Sequence, residues 1–199
     1  MNARVLIGLT GLAWGAIELA LRLRLMLQPG LRARPRTASA SARARLREWT
    51  FFLVVVSLVG AVALAGWLSR FSWAAMRGGA ARAVVAEVLL VSGVALRVWA
   101  ILTLDRFFTF VVGIADDHEV VRVGPYRFIR HPGYAGALLG MLGIGVGLGN
   151  WLSVLALLVI PIAALAVRIR VEEATLVSAL GEQYRAYARQ TSGLIPGVW

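Results

Sequence analysis

Three long apolar runs dominate the first half of the chain and are separated by polar stretches that carry arginine. The runs are Val5–Leu27, Trp49–Leu68 and Ala83–Leu104. As an α-helix, each is long enough to cross the hydrocarbon core of a bilayer, which takes about 20 residues. We therefore expect three transmembrane helices within residues 1–104.

The second half returns to apolar sequence at Ala135–Val167, with an interruption near Gly149-Asn150. Because glycine and asparagine favour turns, this segment predicts a helical hairpin. Small residues four positions apart allow helix backbones to approach closely in a membrane, so we expect the first limb of the hairpin to pack tightly. That limb carries the glycines Gly136, Gly140, Gly143 and Gly147.

The last segment, Arg168–Trp199, is polar but keeps apolar residues four positions apart at Leu176, Leu180 and Tyr184. This spacing is typical of an amphipathic helix that packs on the rest of the protein. The whole pattern predicts an all-α, polytopic membrane bundle in one domain, residues 1–199. We expect about five transmembrane segments: three in residues 1–104 and the hairpin in residues 105–199, which ends in a cytoplasmic amphipathic helix.

The distribution of arginine predicts how this bundle is oriented. The loop 28–48 is rich in arginine, whereas the connection 69–81 carries only Arg70 and Arg77. Short basic loops stay on the cytoplasmic side of a membrane. The N-terminus is then outside, the C-terminus inside, and the polar stretch 105–134 cytoplasmic. Contact with acidic lipid headgroups is the alternative role for the arginines of residues 31–47.

Composition supports a membrane protein and narrows its chemistry. Of 199 residues, 59% are hydrophobic, and the mean hydropathy is +0.76, well above soluble domains. No cysteine is present and histidine occurs only twice, so thiol chemistry is excluded and no metal site is expected. The net charge is +11, and the arginines that produce it cluster beside the apolar runs. This placement favours membrane lipids over nucleic acid as partners. The abundance of alanine, arginine and glycine suggests a GC-rich bacterial source and hence a bacterial plasma membrane.

Two charged residues lie inside the apolar runs and need partners, since an isolated charge in a membrane is costly. Glu18 has Arg22 four residues later on the same helix face, which favours an ordinary ion pair near the helix end. Arg97 lies well inside the third run and must contact protein, reach the interface or meet an acid. Glu18 is also a possible partner for Arg97, and these two residues are the only hint of a transport path.

The longest polar interruption of the second half, Leu104–Gly136, is the candidate site for chemistry. Polar, turn-rich sequence between membrane helices must fold against protein or line a cavity, because lipid cannot satisfy a bare backbone. We interpret this stretch as an active-site loop. Taken alone, His131 is better explained as a residue that fixes the start of a helix, with Pro132 at the first helical position. The polar residues are, in order, His118, the turn Gly124-Pro125-Tyr126, the tetrad Arg130-His131-Pro132-Gly133, and Tyr134.

The order of these motifs resembles a known family. The string GPYRFIRHPGYAG, an apolar hairpin, and then RIRVEEATLVSALGEQYRAY are similar to the isoprenylcysteine carboxyl methyltransferases, and the related phospholipid N-methyltransferases share a similar membrane core. The resemblance covers roughly residues 107–195. It implies a small helical membrane bundle whose cytoplasmic half encloses S-adenosylmethionine and opens laterally to a lipid substrate.

The resemblance also implies roles for individual residues. It places Arg168 opposite the carboxylate of the lipid substrate. Glu172 is four residues later, so both side chains lie on one helix face and can point into one cavity. The residues that the resemblance assigns to the S-adenosylmethionine pocket are His118, Glu119, Val120, Val121, Tyr126, His131, Pro132, Gly133, Tyr134 and Glu172.

The implied reaction is methyl transfer from S-adenosylmethionine to a lipophilic acceptor, the carboxylate of an isoprenylcysteine-like substrate, with S-adenosylhomocysteine as product. A carboxylate is already ionised at neutral pH, so it needs a cation to hold it and no general base. Arginine suits that task because its planar fork binds both carboxylate oxygens. The alternatives are methylation of an aminophospholipid or of a small hydrophobic amine or thiol, and a non-catalytic scaffold or transporter.

Overall fold

The computed structural model describes residues 3–26, 38–104, 120–195 and 197, and this part of the chain is almost entirely helical. Two short 3-10 turns, Ser72–Ala74 and Gly124–Arg127, connect the longer elements. Within the described ranges the only β-pairing consists of two isolated bridges, so the predicted all-α class is confirmed. The helices are α1 (Ala3–Met26), α2 (Ala38–Leu68), α3 (Gly79–Leu104), α4 (Pro132–Leu148), α5 (Trp151–Leu180) and α6 (Glu182–Gln190).

Three of the described helices are long and apolar enough to cross a membrane: Glu48–Leu68 within α2, the whole of α3, and the whole of α5. Their outward-facing side chains include many large exposed hydrophobic groups, as lipid-facing surfaces do. The stretch Gly8–Leu21 of α1 and the helix α4 are apolar but shorter. The membrane bundle is thus confirmed, while the count of five transmembrane segments stays a prediction.

Helix α2 begins earlier than the sequence pattern predicts. We expected a loop over residues 28–48, but the helix already starts at Ala38. Residues 38–48 are mostly alanine and arginine, which are strong helix formers and need no apolar face to propagate a helix that is anchored farther on. The first part of the expected loop, 28–37, lies outside the described residues.

The predicted boundary at Arg168 is also wrong. Helix α5 continues without a break to Leu180, and the chain then turns at Gly181, whose φ of 54° lies in the left-handed region. Nothing between Val167 and Leu180 interrupts a helix, whereas glycine adopts this conformation at little cost. The expected amphipathic tail is therefore divided between the end of α5 and the separate helix α6.

Helices α3 and α4 pack backbone against backbone along the glycine limb, which confirms the predicted tight contact. A Cβ added at Gly93 of α3 would lie 2.6 Å from the carbonyl oxygen of Gly136. One added at Gly143 would lie 2.6 Å from the backbone nitrogen of Leu90. No side chain fits between the helices at these points, so the glycines determine how closely α4 approaches α3.

The predicted hairpin turn is confirmed at Gly149 and Asn150, which separate α4 from α5. Gly149 ends α4 with a φ of 71°. The Asn150 side chain caps α5 by accepting hydrogen bonds from the backbone of Leu152 and Ser153, and it donates to the carbonyl of Phe71 at 2.9 Å. The cap therefore also attaches the hairpin to the connection between α2 and α3.

Helix α1 lies against α3 and α4 and makes polar contacts with α3. Thr10 donates to the carboxylate of Glu87 at 2.7 Å, and Glu18 forms an ion pair with Arg97. Arg97, one of the two partners considered for Glu18, is therefore in contact with it. The side chain of Arg22 lies outside the described residues.

We predict that Gly93→Ala destabilises the protein by about 1–3 kcal/mol, the usual cost of overpacking, because its new methyl group would meet the backbone of α4. The matched control is Gly60→Ala in α2, where a Cβ has no neighbour within 4 Å. There the better helix propensity of alanine should leave stability unchanged or raise it by up to about 1 kcal/mol. Unfolding of the detergent-purified variants measures both. Equal stability of the two variants would contradict the close packing of α3 and α4.

Candidate active site

The turn Gly124–Arg127 lies against the end of α3 and buries Tyr126. Its first residue contacts α3, since a Cβ at Gly124 would lie 3.0 Å from the Thr103 hydroxyl. The backbone nitrogens of Phe128 and Ile129 both donate to the carbonyl of Pro125 at 3.2 Å. These bonds close the turn and direct the chain into the tetrad.

The tetrad is held by the C-terminal segment, a contact that the sequence pattern did not indicate. The backbone nitrogen of Arg130 donates to the carbonyl of Ser192 at 2.8 Å, and that of His131 donates to Gly193 at 3.0 Å. Ser192 in turn donates to Phe128 at 3.3 Å. Residues far apart in sequence thus form a short two-stranded pairing that supports the backbone on which His131 is placed.

His131 both starts helix α4 and contacts a charged residue of α5. Its carbonyl accepts hydrogen bonds from the backbone of Tyr134 and Ala135, each at 3.1 Å, and Pro132 occupies the first helical position. The imidazole makes no capping bond. It lies 3.2 Å from Glu173 Oε1 instead, so the two interpretations of this residue are compatible.

Glu173 joins the tetrad to α5. Its Oε1 accepts from Arg130 Nε at 2.8 Å, as well as contacting His131. Arg130 also donates to the carbonyls of Ala188, at 2.9 Å, and Thr191. No sequence signal gave Glu173 a role of its own, although it follows Glu172 directly. Glu173 connects the tetrad to α5, and Arg130 extends the connection to the end of α6.

Arg168 and Glu172 face the same space from α5, as their spacing predicts. Glu172 Oε2 accepts from the hydroxyl of Tyr134 at 2.8 Å and lies 3.7 Å from Arg168 Nε. Arg168 is 3% exposed and donates to the hydroxyls of Tyr134, at 3.3 Å, and Thr50, at 3.1 Å. Phe51 packs near its guanidinium, 5.9 Å from the ring centroid. Thr50 and Phe51 carried no sequence signal because they begin an otherwise apolar run.

Helix α6 covers the turn from the other side. The hydroxyl of Tyr187 donates to the carbonyl of Tyr126 at 2.7 Å. Burial raises the pKa of Tyr187 to about 12, so this phenol remains a donor at neutral pH. Burial, and then the negative charge of Glu172, also raise the pKa of Tyr126. Tyr126 is therefore a neutral, mainly apolar group beside the carboxylate of α5.

The structure brings most of the sequence-predicted site residues to one end of the bundle. His118 and Glu119 lie outside the described residues, and Val120 and Val121 begin the partly buried segment that leads to the turn. Within the described ranges, no group of three potential metal ligands occurs. The residues that lie together are Tyr126, His131, Pro132, Gly133, Tyr134, Arg168 and Glu172.

A protein-family model described as the isoprenylcysteine carboxyl methyltransferase family matches residues 85–178. Over this segment the chain is similar to the isoprenylcysteine carboxyl methyltransferase family. The matched segment runs from α3 almost to the end of α5. It contains the turn, the tetrad and both glutamates of α5, so the family resemblance read from the motifs is confirmed.

Curated relatives from this family are similar over the same part of the chain. The probable protein-S-isoprenylcysteine O-methyltransferase of Oryza sativa subsp. indica is 35% identical over 116 residues, which is 57% of this chain and 61% of the rice protein. Protein-S-isoprenylcysteine O-methyltransferase B of Arabidopsis thaliana is 36% identical over 112 residues, 55% of this chain and 57% of that protein. The match therefore spans about three fifths of the length of these relatives.

The fold is also similar to that of a solved family member. The structure of the eukaryotic intramembrane Ras methyltransferase ICMT aligns with a TM-score of 0.55 at 27% identity, covering 82% of this chain and 54% of that one. Because this coverage exceeds the segment 85–178, the likeness in fold extends beyond the family segment. It supports an integral membrane bundle for the chain.

We predict that Tyr187→Phe lowers the free energy of unfolding by about 1 kcal/mol, since it removes a buried hydrogen bond to Tyr126. The neighbouring Tyr184 offers a control: its buried hydroxyl has no hydrogen-bond partner among the described residues. Tyr184→Phe should therefore be neutral or slightly stabilising. Thermal unfolding in detergent compares the two variants. An equal loss in both would contradict the contact between Tyr187 and the turn.

Proposed function

We propose that this protein is an S-adenosylmethionine-dependent membrane methyltransferase that esterifies the carboxylate of a lipophilic, isoprenylcysteine-like acceptor. One observation carries this proposal most strongly. Arg168, an arginine that is 97% buried, lies beside Tyr134 and Glu172 at the end of an apolar bundle. A buried guanidinium next to lipid-facing helices suits an acceptor that combines a carboxylate with a hydrocarbon chain.

The relatives support the same reaction class. The rice and Arabidopsis proteins are named protein-S-isoprenylcysteine O-methyltransferases, and the matched segment includes the tetrad, Arg168 and Glu172. We extend that activity to this chain because its own residues provide the necessary groups. A carboxylate acceptor is ionised at neutral pH, so the site needs a cation and exclusion of water but no general base.

The residues of the site fit the chemistry of S-adenosylmethionine. Glu172 Oε2 is held by Tyr134, whereas Oε1 has no hydrogen-bond partner among the described residues and is available to an amino or hydroxyl donor. The buried faces of Tyr126 and Tyr134 suit an adenine ring or a positive sulfur, which aromatic rings attract. The complete cofactor set that we propose is His118, Glu119, Val120, Val121, Tyr126, His131, Pro132, Gly133, Tyr134 and Glu172.

When bound, the cofactor would supply an electrophilic methyl group on a positively charged sulfur. The methyl carbon would bond to an acceptor oxygen as its bond to sulfur breaks, and the sulfur would depart as a neutral thioether. Arg168 would orient the acceptor carboxylate, and its contacts with Thr50 and Tyr134 restrict the guanidinium to one direction. Such alignment of two reactants supplies much of the acceleration in a displacement of this kind. Glu173, Arg130 and His131 keep the tetrad against α5 while this happens.

We further propose that the membrane is a bacterial plasma membrane, with the site on the cytoplasmic side, the N-terminus outside and the C-terminus inside. The arginine-rich residues 31–47 support this orientation, and the alanine-, arginine- and glycine-rich composition supports a bacterial source. The relatives named above are eukaryotic, so the source is inferred from composition alone. Exposed apolar side chains on the long helices would let the acceptor arrive from the lipid phase.

We predict that the detergent-purified protein binds S-adenosylhomocysteine saturably and that Glu172→Ala abolishes this binding, because the carboxylate that orients the cofactor is lost. Glu182→Ala is the matched control: Glu182 is an exposed glutamate of α6 whose partners are Arg185 and Arg189. This control should bind like the wild type. Calorimetric titration measures all three proteins. Absence of binding by folded wild type, in lipid as well as in detergent, would favour a scaffold or transporter instead.

A second prediction separates the acceptor site from the cofactor site. Arg168→Ala should lower kcat/KM for a farnesylated cysteine with a free carboxylate by at least about 100-fold, since charge-assisted hydrogen bonds contribute roughly 1.5–3 kcal/mol each. Arg168→Lys should give an intermediate loss of kcat/KM, because lysine keeps the positive charge but lacks the planar pair of N–H donors that binds both carboxylate oxygens.

The matched control for Arg168→Ala is Arg170→Ala, which changes an exposed arginine two residues farther along α5. Arg170→Ala should retain full methyl transfer. Affinity for S-adenosylhomocysteine, measured by calorimetry, should remain within a few-fold in every variant. Undiminished transfer by Arg168→Ala would remove Arg168 from the acceptor site and favour an amine or thiol acceptor.

A further inference from the structure

The ion pair between Glu18 and Arg97 lies within the apolar parts of α1 and α3 and is not explained by the proposed chemistry. The two side chains are only 16% and 14% exposed. Arg97 Nε contacts Glu18 Oε1, and its second terminal nitrogen donates to Oε2 at 3.0 Å. Trp14 also donates to Glu18, at 3.3 Å. The carboxylate is therefore bound on both oxygens and has little freedom to move.

Arg97 makes a third contact that leads toward the site. Its remaining terminal nitrogen donates to the carbonyl oxygen of Gly133 at 2.9 Å. Gly133 is the last residue of the tetrad and lies in the first turn of α4. The backbone of Arg97 also contacts α4, since a Cβ at Gly136 would lie 2.8 Å from the Arg97 nitrogen. One planar guanidinium thus connects α1, α3 and the beginning of α4.

The first turn of α4 carries the side chains that face the proposed cofactor. His131 precedes Gly133 by two residues and contacts Glu173, and Tyr134 follows it directly and contacts Glu172 and Arg168. The backbone nitrogen of Tyr134 donates a hydrogen bond to the carbonyl of His131, so the positions of these two residues are coupled. A displacement of the Gly133 carbonyl would therefore shift both side chains relative to α5.

We propose that Glu18 and Arg97 are positioning residues. They link helix α1 to the first turn of α4 and so determine where His131 and Tyr134 are placed. This inference rests on the proposed function for its catalytic meaning. Glu18 restricts the guanidinium to one orientation, and Arg97 transmits that orientation to the Gly133 carbonyl. Helix α1 lies outside the segment that matches the family model, yet in this account it contributes to the geometry of the site.

A second polar contact between the same two helices provides the matched control. Thr10 and Glu87 join α1 to α3 at 2.7 Å, eight residues before Glu18 and ten before Arg97. This hydrogen bond does not involve the first turn of α4. If the ion pair between Glu18 and Arg97 served only to hold α1 against α3, disruption of the contact between Thr10 and Glu87 would have the same consequences.

The test compares Arg97→Lys, Glu18→Gln and Glu87→Leu in the full chain in lipid nanodiscs; leucine removes the oxygen that accepts from Thr10. Arg97→Lys keeps a positive charge for Glu18, but a single ammonium cannot span both the carboxylate and the Gly133 carbonyl as a planar fork does. Hydrogen exchange of the amides of residues 133–137 is the first readout, affinity for S-adenosylhomocysteine the second, and thermal unfolding the third. The exchange readout needs no bound cofactor.

We expect Arg97→Lys and Glu18→Gln to speed exchange in residues 133–137 at least 10-fold and to weaken S-adenosylhomocysteine binding about 10-fold. Glu87→Leu should leave exchange in this turn and the affinity for S-adenosylhomocysteine within two-fold of wild type, even if it lowers the unfolding temperature as much as the other two variants do. The proposal would be overturned if the Glu87 variant changed exchange and affinity as much as the Arg97 and Glu18 variants do. Unchanged exchange in Arg97→Lys would also overturn it. If wild type does not bind S-adenosylhomocysteine, the proposed function fails, and exchange alone decides whether the pair positions the turn.

Discussion

Charged groups within apolar helices have to find their partners inside the protein, and this constraint organises the whole structure. Two arginines within helices satisfy it in different ways, and an arginine of the tetrad follows the same rule. Arg97 joins α1 to α4 through Glu18 and Gly133, Arg168 joins α5 to α2 through Thr50, and Arg130 joins the tetrad to α5 through Glu173. Because lipid supplies no hydrogen bonds, each arginine selects one arrangement of the surrounding helices.

The glycine contact between α3 and α4 makes these polar bonds geometrically feasible. With no side chains between the two backbones at Gly93 and Gly136, α4 lies close enough for Arg97 to reach its first turn. Larger residues at these positions would push the helices apart and lengthen the distance from Arg97 to the Gly133 carbonyl. Close packing and intramembrane electrostatics therefore depend on each other at this end of the bundle.

The adjacent glutamates of α5 have separate tasks, which their shared sequence position conceals. Glu173 binds Arg130 and contacts His131, so it holds the tetrad. Glu172 binds Tyr134 and faces Arg168, which leaves it oriented toward the proposed cofactor and acceptor. Consecutive residues on a helix point about 100° apart, so a pair of neighbouring carboxylates can serve a structural and a functional role at once.

Local pattern by itself determined the helical class, the hairpin turn at Gly149-Asn150, the tight glycine limb and the shared face of Arg168 and Glu172, because these follow from spacing along one segment. It did not determine where α2 begins or where α5 ends. Tertiary structure decided that Arg97 contacts Glu18, that Ser192 and Gly193 support the tetrad, and that Thr50 reaches Arg168. Those contacts join residues dozens of positions apart, and periodicity carries no information about which helix faces meet. The physical reason is that helix formation is local, whereas the pairing of buried polar groups is settled only when the helices pack.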